Sequence, residues 1–294
     1  ASLFGTSLRG ASLIGANLSK AHLRGSNLIG ADMTACDLTG VQAHGSFMTF
    51  AVLSGAKASS ADLSGVDMVQ AIAVGADFRG SQMPGVNLLQ ADLTRANFSK
   101  AQLNSAHLSR IIGPEANFSD TTMFAADFSF ARLDGAVFDR AQAHGVYFFK
   151  ALLRGASLVS AVLGGADAIG ANLTGADLSK SRLGTAAFSS ALLIGAKLDE
   201  ADAHGEFFEG ADLSRASLRG ANFPDAKLQN AILADADLTG ASFNGSRLEG
   251  ADLTGAVING TSFDGAIYDA RTLLPFTREE AAKRGMHPSS AAGS

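Results

Sequence analysis

A five-residue period runs through this chain from residue 1 to residue 270 and constrains its fold more than any other feature. Successive blocks read ASLFG, TSLRG, ASLIG and ANLSK, and 54 consecutive blocks keep the same phase. We call these blocks pentads and number their positions one to five. The third position is Leu, Phe, Met, Ile or Tyr in 47 of the 54 pentads, and the first is usually Ala. The second is often Asp, Asn or Ser, and the fifth is often Gly.

A five-residue period fits neither a helix nor a flat strand. A helix has 3.6 residues per turn, so a residue repeated every five positions would visit every side of it. A strand alternates with period two, so successive large side chains would point to opposite faces. The pattern therefore predicts a turn in each pentad, with Gly, Asn, Asp and Ser supplying the turn chemistry. Stacked coils would then bury the first and third positions.

Pentads such as ADLSG at 61–65 and ANLTG at 171–175 follow the pattern A-[DN]-[LF]-x-x, which resembles the pentapeptide-repeat family. The resemblance covers residues 1 to about 270. It implies an all-β chain folded as a right-handed quadrilateral parallel β-helix, a solenoid in which four pentads make one coil with four faces. The repeat region would then form about 13–14 coils. The resemblance also implies that the first and third positions point inwards.

Two recurrences that played no part in choosing the period support a coil of four pentads. The triplet Ala-His-Gly begins at positions 43, 143 and 203, so its copies are separated by whole multiples of four pentads. Phe78, Phe98, Phe118 and Phe138 recur once in every four pentads, at the third position of the fourth face. We therefore expect these four rings to form an internal stack.

Two pentads have an unsuitable residue at the first position. In residues 111–115, Gly113 vacates a core position while Ile111 is oversized for the first position, so a local distortion is expected. Glu206 is the only charged residue at a first position. Because an unpaired, buried, ionised carboxylate is costly, we expect either a locally everted corner or a partly exposed carboxylate there.

The sequence predicts one repeat domain followed by a short cap. The predicted segments are the β-helix at 1–272, a cap segment with a short helix at 273–287, and a flexible tail at 288–294. Thr277 is a suitable N-cap, Glu280 would complete a capping box, and Gly285 would end the helix. Ala1 is already in phase, which leaves an exposed first coil, a self-associating one or a truncated N-terminus as alternatives.

Composition and spacing argue against an enzyme. The formal net charge of −5 argues against binding to nucleic acid or an anionic membrane, and one Cys excludes an internal disulfide. His44, His144 and His204 share one outward column, but their spacings of about 24 and 14 Å are too long for a shared metal ion. We expect no catalytic residue, cofactor, metal or small-molecule substrate. With no signal peptide or apolar membrane span, a cytoplasmic location is expected.

The outward positions are unequally apolar. Val, Ile, Leu, Met, Phe and Tyr fill 18 of 54 outward positions on the second and third faces, against 6 of 54 on the other two. Val and Ile can be there simply because they suit extended backbone, whereas clustered aromatic residues often mark interaction sites. The candidate partner-binding residues are Phe47, Phe50, Leu89, Phe130, Tyr147, Phe149, Leu152 and Phe207.

These features favour a non-enzymatic scaffold that binds an unidentified protein partner through an apolar seam on two adjacent faces. Self-association as a homodimer, through an end coil or the apolar faces, is an alternative. The family resemblance implies two further functions: a DNA-mimicking inhibitor that protects gyrase, and a secreted bacterial effector. DNA mimicry requires concentrated negative charge, yet basic residues interrupt the acidic C-terminal part, where 201–294 holds 13 acidic and 8 basic residues.

Overall fold

The computed structural model describes residues 1–289. The chain forms two compact units, unit 1 (Ala1–Leu152) and unit 2 (Leu153–Ser294). Within each unit, second-position residues form parallel bridges with the residue four pentads further on. In unit 1 these bridges run from Ser2–His22 to Arg132–Leu152, and in unit 2 from Ser157–Asp177 to Arg247–Ile267. Each unit is therefore a parallel β-helix.

Hydrogen bonds join neighbouring coils through the second and third positions. The Leu23 amide donates to the Gln42 carbonyl in the next coil at 2.7 Å, and the Gln42 amide donates to the Ala21 carbonyl at 2.9 Å. One strand residue per pentad thus pairs in both directions along the stack. This pairing satisfies the backbone polar groups around the core.

A tight turn at positions four and five, which we call a corner, separates consecutive bridges. The Ala31 amide donates to the Leu28 carbonyl at 3.0 Å, which closes a four-residue turn with Gly30 at its third place. Gly30 has a φ of 66°, as a type II turn requires. Glycine suits this conformation best, yet 25 other residues within 1–289 also adopt it, with φ between 52° and 62°. The high glycine content therefore reflects a preference of the corner.

The first and third positions form the core of both units. Ala at the first position and Leu or Phe at the third are almost fully buried from residue 21 onwards. The predicted stack in unit 1 is confirmed: Phe98 lies 4.8 Å from Phe78 and 5.0 Å from Phe118, and Phe138 lies 4.9 Å from Phe118 between ring centroids. Because each ring repeats at the strand spacing, identical side chains pack face to face.

The distortion expected at residues 111–115 does not occur. Ile112 bridges Asp92 and Arg132 in the regular register, and Glu115 has the usual corner φ of 58°. Ile111 is fully buried, and its Cδ1 atom lies 3.5 Å from where a Cβ would stand on Gly113. The large residue at the first position therefore occupies the space that the missing third-position side chain leaves.

Unit 2 ends in β1 (Ile267–Tyr268), α1 (Arg278–Lys283) and β2 (His287–Pro288). The Thr277 hydroxyl caps α1 by accepting from the Glu280 amide at 3.2 Å. The Glu280 carboxylate pairs with Arg284 at 3.1 Å. The Phe276 ring packs against Phe263 with centroids 5.9 Å apart, so the segment before α1 covers the end of an aromatic column.

Strand β2 runs parallel to β1, with His287 opposite Ile267. The Ser289 amide also donates to the Tyr268 carbonyl at 2.7 Å. Pro288 and Ser289 therefore belong to the paired structure, a correction to the predicted tail, because the backbone again reaches the free edge of the preceding coil. The remaining predicted tail, residues 290–294, lies outside the described residues. Within residues 1–289, no helix has the length and apolar character needed to cross a membrane.

Candidate functional site

Seven of the eight candidate partner-binding residues lie in unit 1, and we call these seven the aromatic surface. They are Phe47, Phe50, Leu89, Phe130, Tyr147, Phe149 and Leu152. The first five are exposed by 36–56 %, whereas Phe149 and Leu152 are half-buried. The structure thus leaves a set of large apolar side chains open to solvent on two adjacent faces.

Phe130 and Phe149 form the best-connected part of the aromatic surface. Their rings meet edge to face with centroids 5.5 Å apart. The Arg110 guanidinium lies 5.4 Å from the Phe130 centroid, and the Lys150 ammonium lies 5.2 Å from the Phe149 centroid. Two cations therefore border an aromatic pair, and aromatic residues together with arginine are enriched at the centres of protein interfaces.

Two aromatic residues occupy corners and not strand positions. Phe50 and Phe130 have φ values of 59° and 60°, a conformation that costs a residue with a Cβ about 1–2 kcal/mol. Glycine at either corner would relieve this cost and remove an exposed ring. The preference of β-branched and aromatic residues for extended backbone does not account for these two side chains.

Phe207, the eighth candidate, lies in unit 2 and differs from the others. It is half-buried, and the Lys227 ammonium of the next coil lies 4.0 Å from its ring centroid. This is a close cation–π contact made within the chain. One face of Phe207 is therefore already occupied.

Tyr147 borders a surface depression of about 340 Å³ in unit 1. Asp127 and His107 share its column, and Ser105 and Ala125 line the neighbouring corner. Asp127 accepts a hydrogen bond from the Ser129 amide at 2.8 Å and another from the Ser109 hydroxyl. Burial raises the pKa of Asp127, but the hydrogen bonds from Ser109 and Ser129 and the nearby His107 outweigh it, so the pKa lies below its ordinary value. The carboxylate is thus ionised at neutral pH.

Glu206 lies in the core of unit 2 with no exposed surface. Its Oε1 atom accepts from the Thr185 amide at 3.1 Å, whereas Oε2 has no hydrogen-bond partner. Burial raises the pKa of Glu206 to about 7, and the negative charge of Asp202 acts in the same direction. The side chain is therefore inside, so the everted corner and the partly exposed carboxylate expected from the sequence are both wrong, and the neutral form is favoured below about pH 7.

The remaining titratable candidates are the exposed histidines, Cys36 and the second-position Asp residues. His44, His144 and His204 are exposed, and no group of three or more His, Cys, Asp or Glu within residues 1–289 could hold a metal ion. Cys36 is buried, and burial together with Asp37 raises the pKa of its thiol. Second-position Asp residues serve the turns, as where Asp62 accepts from the Ser64 amide at 3.1 Å.

Sequence reasoning missed several exposed residues outside the aromatic surface. Phe4 and Phe124, both at fourth positions of the first face, are 67 % and 42 % exposed, and Phe124 lies 5.8 Å from the His144 ring. Their fourth positions indicate outward side chains, but the first face has few apolar residues overall, so the apolar count does not predict a binding surface there. The depression beside Tyr147 carries no sequence motif, since its lining residues come from three successive coils.

Comparisons with known proteins agree with the repeat pattern. A family model described as "Pentapeptide repeats" matches in eight copies, which together cover residues 1–40, 36–72, 74–110, 114–140, 147–184, 186–230 and 231–267. Among curated proteins, no sequence matches this chain.

Three solved structures illustrate the range of similar proteins. QnrB1, a plasmid-mediated fluoroquinolone resistance protein, is 18 % identical over 64 % of this chain and 92 % of its own, with a TM-score of 0.37. HetL from Nostoc sp. PCC 7120, involved in heterocyst differentiation regulation, is 27 % identical over 82 % and 89 %, with a TM-score of 0.22. Rfr23 from Cyanothece 51142 is 31 % identical over 35 % and 63 %, with a TM-score of 0.22. Because these TM-scores are low, the family of this chain is assigned from the family-model match to its sequence and not from these structures.

Proposed function

Since this chain belongs to the pentapeptide-repeat family, we propose that it is a non-enzymatic interaction scaffold that binds a protein partner through the aromatic surface of unit 1. The observation that carries this proposal is that Phe50 and Phe130 expose large aromatic rings at corners, where most other pentads have glycine or a polar residue. A large exposed apolar patch is also the usual mark of an interaction site.

The fold suits this role because it holds side chains rigidly. Every coil within unit 1 pairs with its neighbours, so Phe130 and Phe149 are ordered before any partner arrives. Preorganised aromatic residues lose little conformational entropy on binding. We also propose that the scaffold is right-handed, with four pentads in each coil. The segment at 273–287, which contains α1, would cap the C-terminal end of unit 2.

The experiment is a matched affinity capture with the full chain. Phe50, Phe130 and Phe149 are changed together to Ser, and the control variant carries Phe4→Ser and Phe124→Ser, which remove exposed rings from another face. A partner of the aromatic surface should be captured by wild type and control and lost from the triple variant. Equal capture by all three proteins would contradict the proposal. Unchanged thermal melting would show that the triple variant is folded.

The alternative, DNA-mimicking inhibition of a topoisomerase, depends on a face of uncompensated negative charge. In unit 2, several carboxylates are neutralised by the chain itself: Arg219 pairs with Asp237 at 3.1 Å, and Arg247 pairs with Glu249 at 2.7 Å. We therefore expect no protection in a gyrase supercoiling assay. If the protein protects gyrase in a dose-dependent way, and the triple variant protects it equally, DNA mimicry would be favoured over partner binding by the aromatic surface.

A further inference from the structure

The depression beside Tyr147 adjoins the other residues of the aromatic surface and differs from them in being lined by an acidic side chain, Asp127. We propose that it binds an arginine side chain presented by the partner protein, with Asp127 pairing the guanidinium and the Tyr147 ring stacking on it. This inference refines the proposed protein-binding role and rests on it. The depression, of about 340 Å³, lies within unit 1.

Asp127 has the capacity to accept another donor. Each carboxylate oxygen receives one hydrogen bond, from the Ser129 amide and the Ser109 hydroxyl, and a carboxylate offers about four lone-pair sites. Among residues 1–289, His107 is the basic side chain whose charge lowers the pKa of Asp127. No Lys or Arg within these residues forms an ion pair with Asp127. The two internal donors also fix the rotamer of Asp127, so an incoming cation would meet a preorganised anion.

Tyr147 supplies the aromatic wall. It is 47 % exposed and neighbours Asp127 in the parallel bridge. In unit 2, an aromatic residue at the same pentad position receives a cation, because the Lys227 ammonium lies 4.0 Å from the Phe207 centroid. At Phe207 the cation belongs to the chain. At Tyr147 the bridged neighbour within unit 1 is an anion, so the cation would come from outside.

Arginine fits this pair better than lysine. A guanidinium is planar, so it can stack on a ring while its edge donates two hydrogen bonds to a carboxylate. An ammonium group is a point charge and satisfies one of the two contacts at a time with less geometric preference. The small residues Ser105 and Ala125 leave room for the aliphatic stem.

The chain offers a sharp probe because it contains only two tyrosines and no tryptophan. Tyr147 is exposed, while Tyr268 is buried beneath Arg278 at 4.8 Å. Labelling the full chain with 3-fluorotyrosine gives two fluorine NMR signals, which Tyr147→Phe assigns. Titration with N-acetyl-arginine amide should shift the Tyr147 signal saturably, with a dissociation constant on the order of millimolar, and leave Tyr268 unchanged. N-acetyl-citrulline amide, which is nearly isosteric and neutral, should produce no saturable shift.

The matched variants are Asp127→Asn and Asp67→Asn, which alter the same pentad position on the same face. Asparagine can still accept from the turn amide, so both variants should fold. Asp127→Asn should weaken arginine binding about tenfold or more, whereas Asp67→Asn should not change it. Equal shifts with citrulline, or an Asp127→Asn titration identical to wild type, would overturn the inference. Loss of partner capture in the Phe50, Phe130 and Phe149 variant would still support the proposed function, because those residues do not line the depression.

Discussion

The pentads that contain Ile111 and Glu206 both place an unsuitable residue at the small inward position, and the protein accommodates them differently. In unit 1, Ile111 fills the space above Gly113, and the bridges of the pentad keep their regular partners. In unit 2, Glu206 redirects a hydrogen bond: the Thr185 amide bonds its carboxylate at 3.1 Å. The equivalent amide of Gly165 bonds the carbonyl of Gly184 at 2.8 Å.

The difference shows that this core tolerates an error of volume more readily than an error of polarity. Excess volume at one inward position can be matched by missing volume two residues away, because both side chains enter the same interior. A carboxyl group needs donors that the alanine and leucine interior lacks. Glu206 obtains one donor, the Thr185 amide, while its Oε2 atom has no partner, and burial raises its pKa.

The largest expected effect separates the two side chains of the Ile111 pentad. Ile111→Ala should lower the free energy of unfolding by about 2–5 kcal/mol, because it opens a cavity over Gly113. Gly113→Leu alone should also destabilise, by about 1–3 kcal/mol or more, because Ile111 and Leu133 already occupy the space. The double variant restores the common Ala-x-Leu pattern and should approach wild type.

Urea denaturation of all four proteins, followed by circular dichroism, measures this cycle. The coupling between the two substitutions should exceed about 2 kcal/mol and favour the double variant. Additive effects would show that the two side chains do not share one volume, and that Gly113 does not compensate for the size of Ile111.

A second prediction concerns pH and Glu206. The pKa rises from the ordinary 4.5 to about 7 in the folded protein, so the folded state holds the proton more tightly than the unfolded state. The stabilisation is complete below about pH 4.5 and is lost as pH rises through about 7, by about 3 kcal/mol in total. Glu206→Gln, which cannot ionise, should remove this component of the pH dependence.

Urea midpoints measured from pH 4.5 to pH 8 provide the test. Glu200→Gln is the control, because Glu200 is exposed and its ion pair with Lys180 is long, at 3.8 Å. The control should keep the wild-type pH dependence. Identical pH profiles for wild type and Glu206→Gln would mean that the carboxyl group is hydrated in solution.

The smallest expected effects compare the corners of the same two regions. Glu115 adopts a φ of 58°, and Glu115→Gly should raise the free energy of unfolding by about 0.5–1 kcal/mol as the strain is relieved. Gly205, in the corner before Glu206, has a φ of 77° and open space where a Cβ would stand. Gly205→Ala should therefore cost about 1 kcal/mol through the backbone alone. Thermal melting of both variants tests this pair: the melting temperature should rise for Glu115→Gly and fall for Gly205→Ala.

The period predicted the features that repeat, namely the inward Ala and Leu positions, the corner glycines and the stack from Phe78 to Phe138. The short helix was also anticipated, since Thr277 and Gly285 are local signals. The sequence did not predict that Ile111 would replace the missing volume of Gly113, or that Glu206 would be buried. Both outcomes depend on packing between particular side chains, which a repeat pattern does not specify. The depression at Tyr147 could not be predicted for the same reason.

The regular register of unit 1 also makes residue numbers a measure of distance. Residues four pentads apart occupy the same place in adjacent coils, about 4.8 Å apart. Exposed second positions of one face, such as Gln42, Gln82 and Gln142, therefore form a ladder with separations of about 10 and 14 Å. Spectroscopic labels or grafted recognition groups placed on such a ladder could be spaced by choosing sequence positions alone. Within unit 1, each step of four pentads therefore adds one strand spacing to the distance between two such groups.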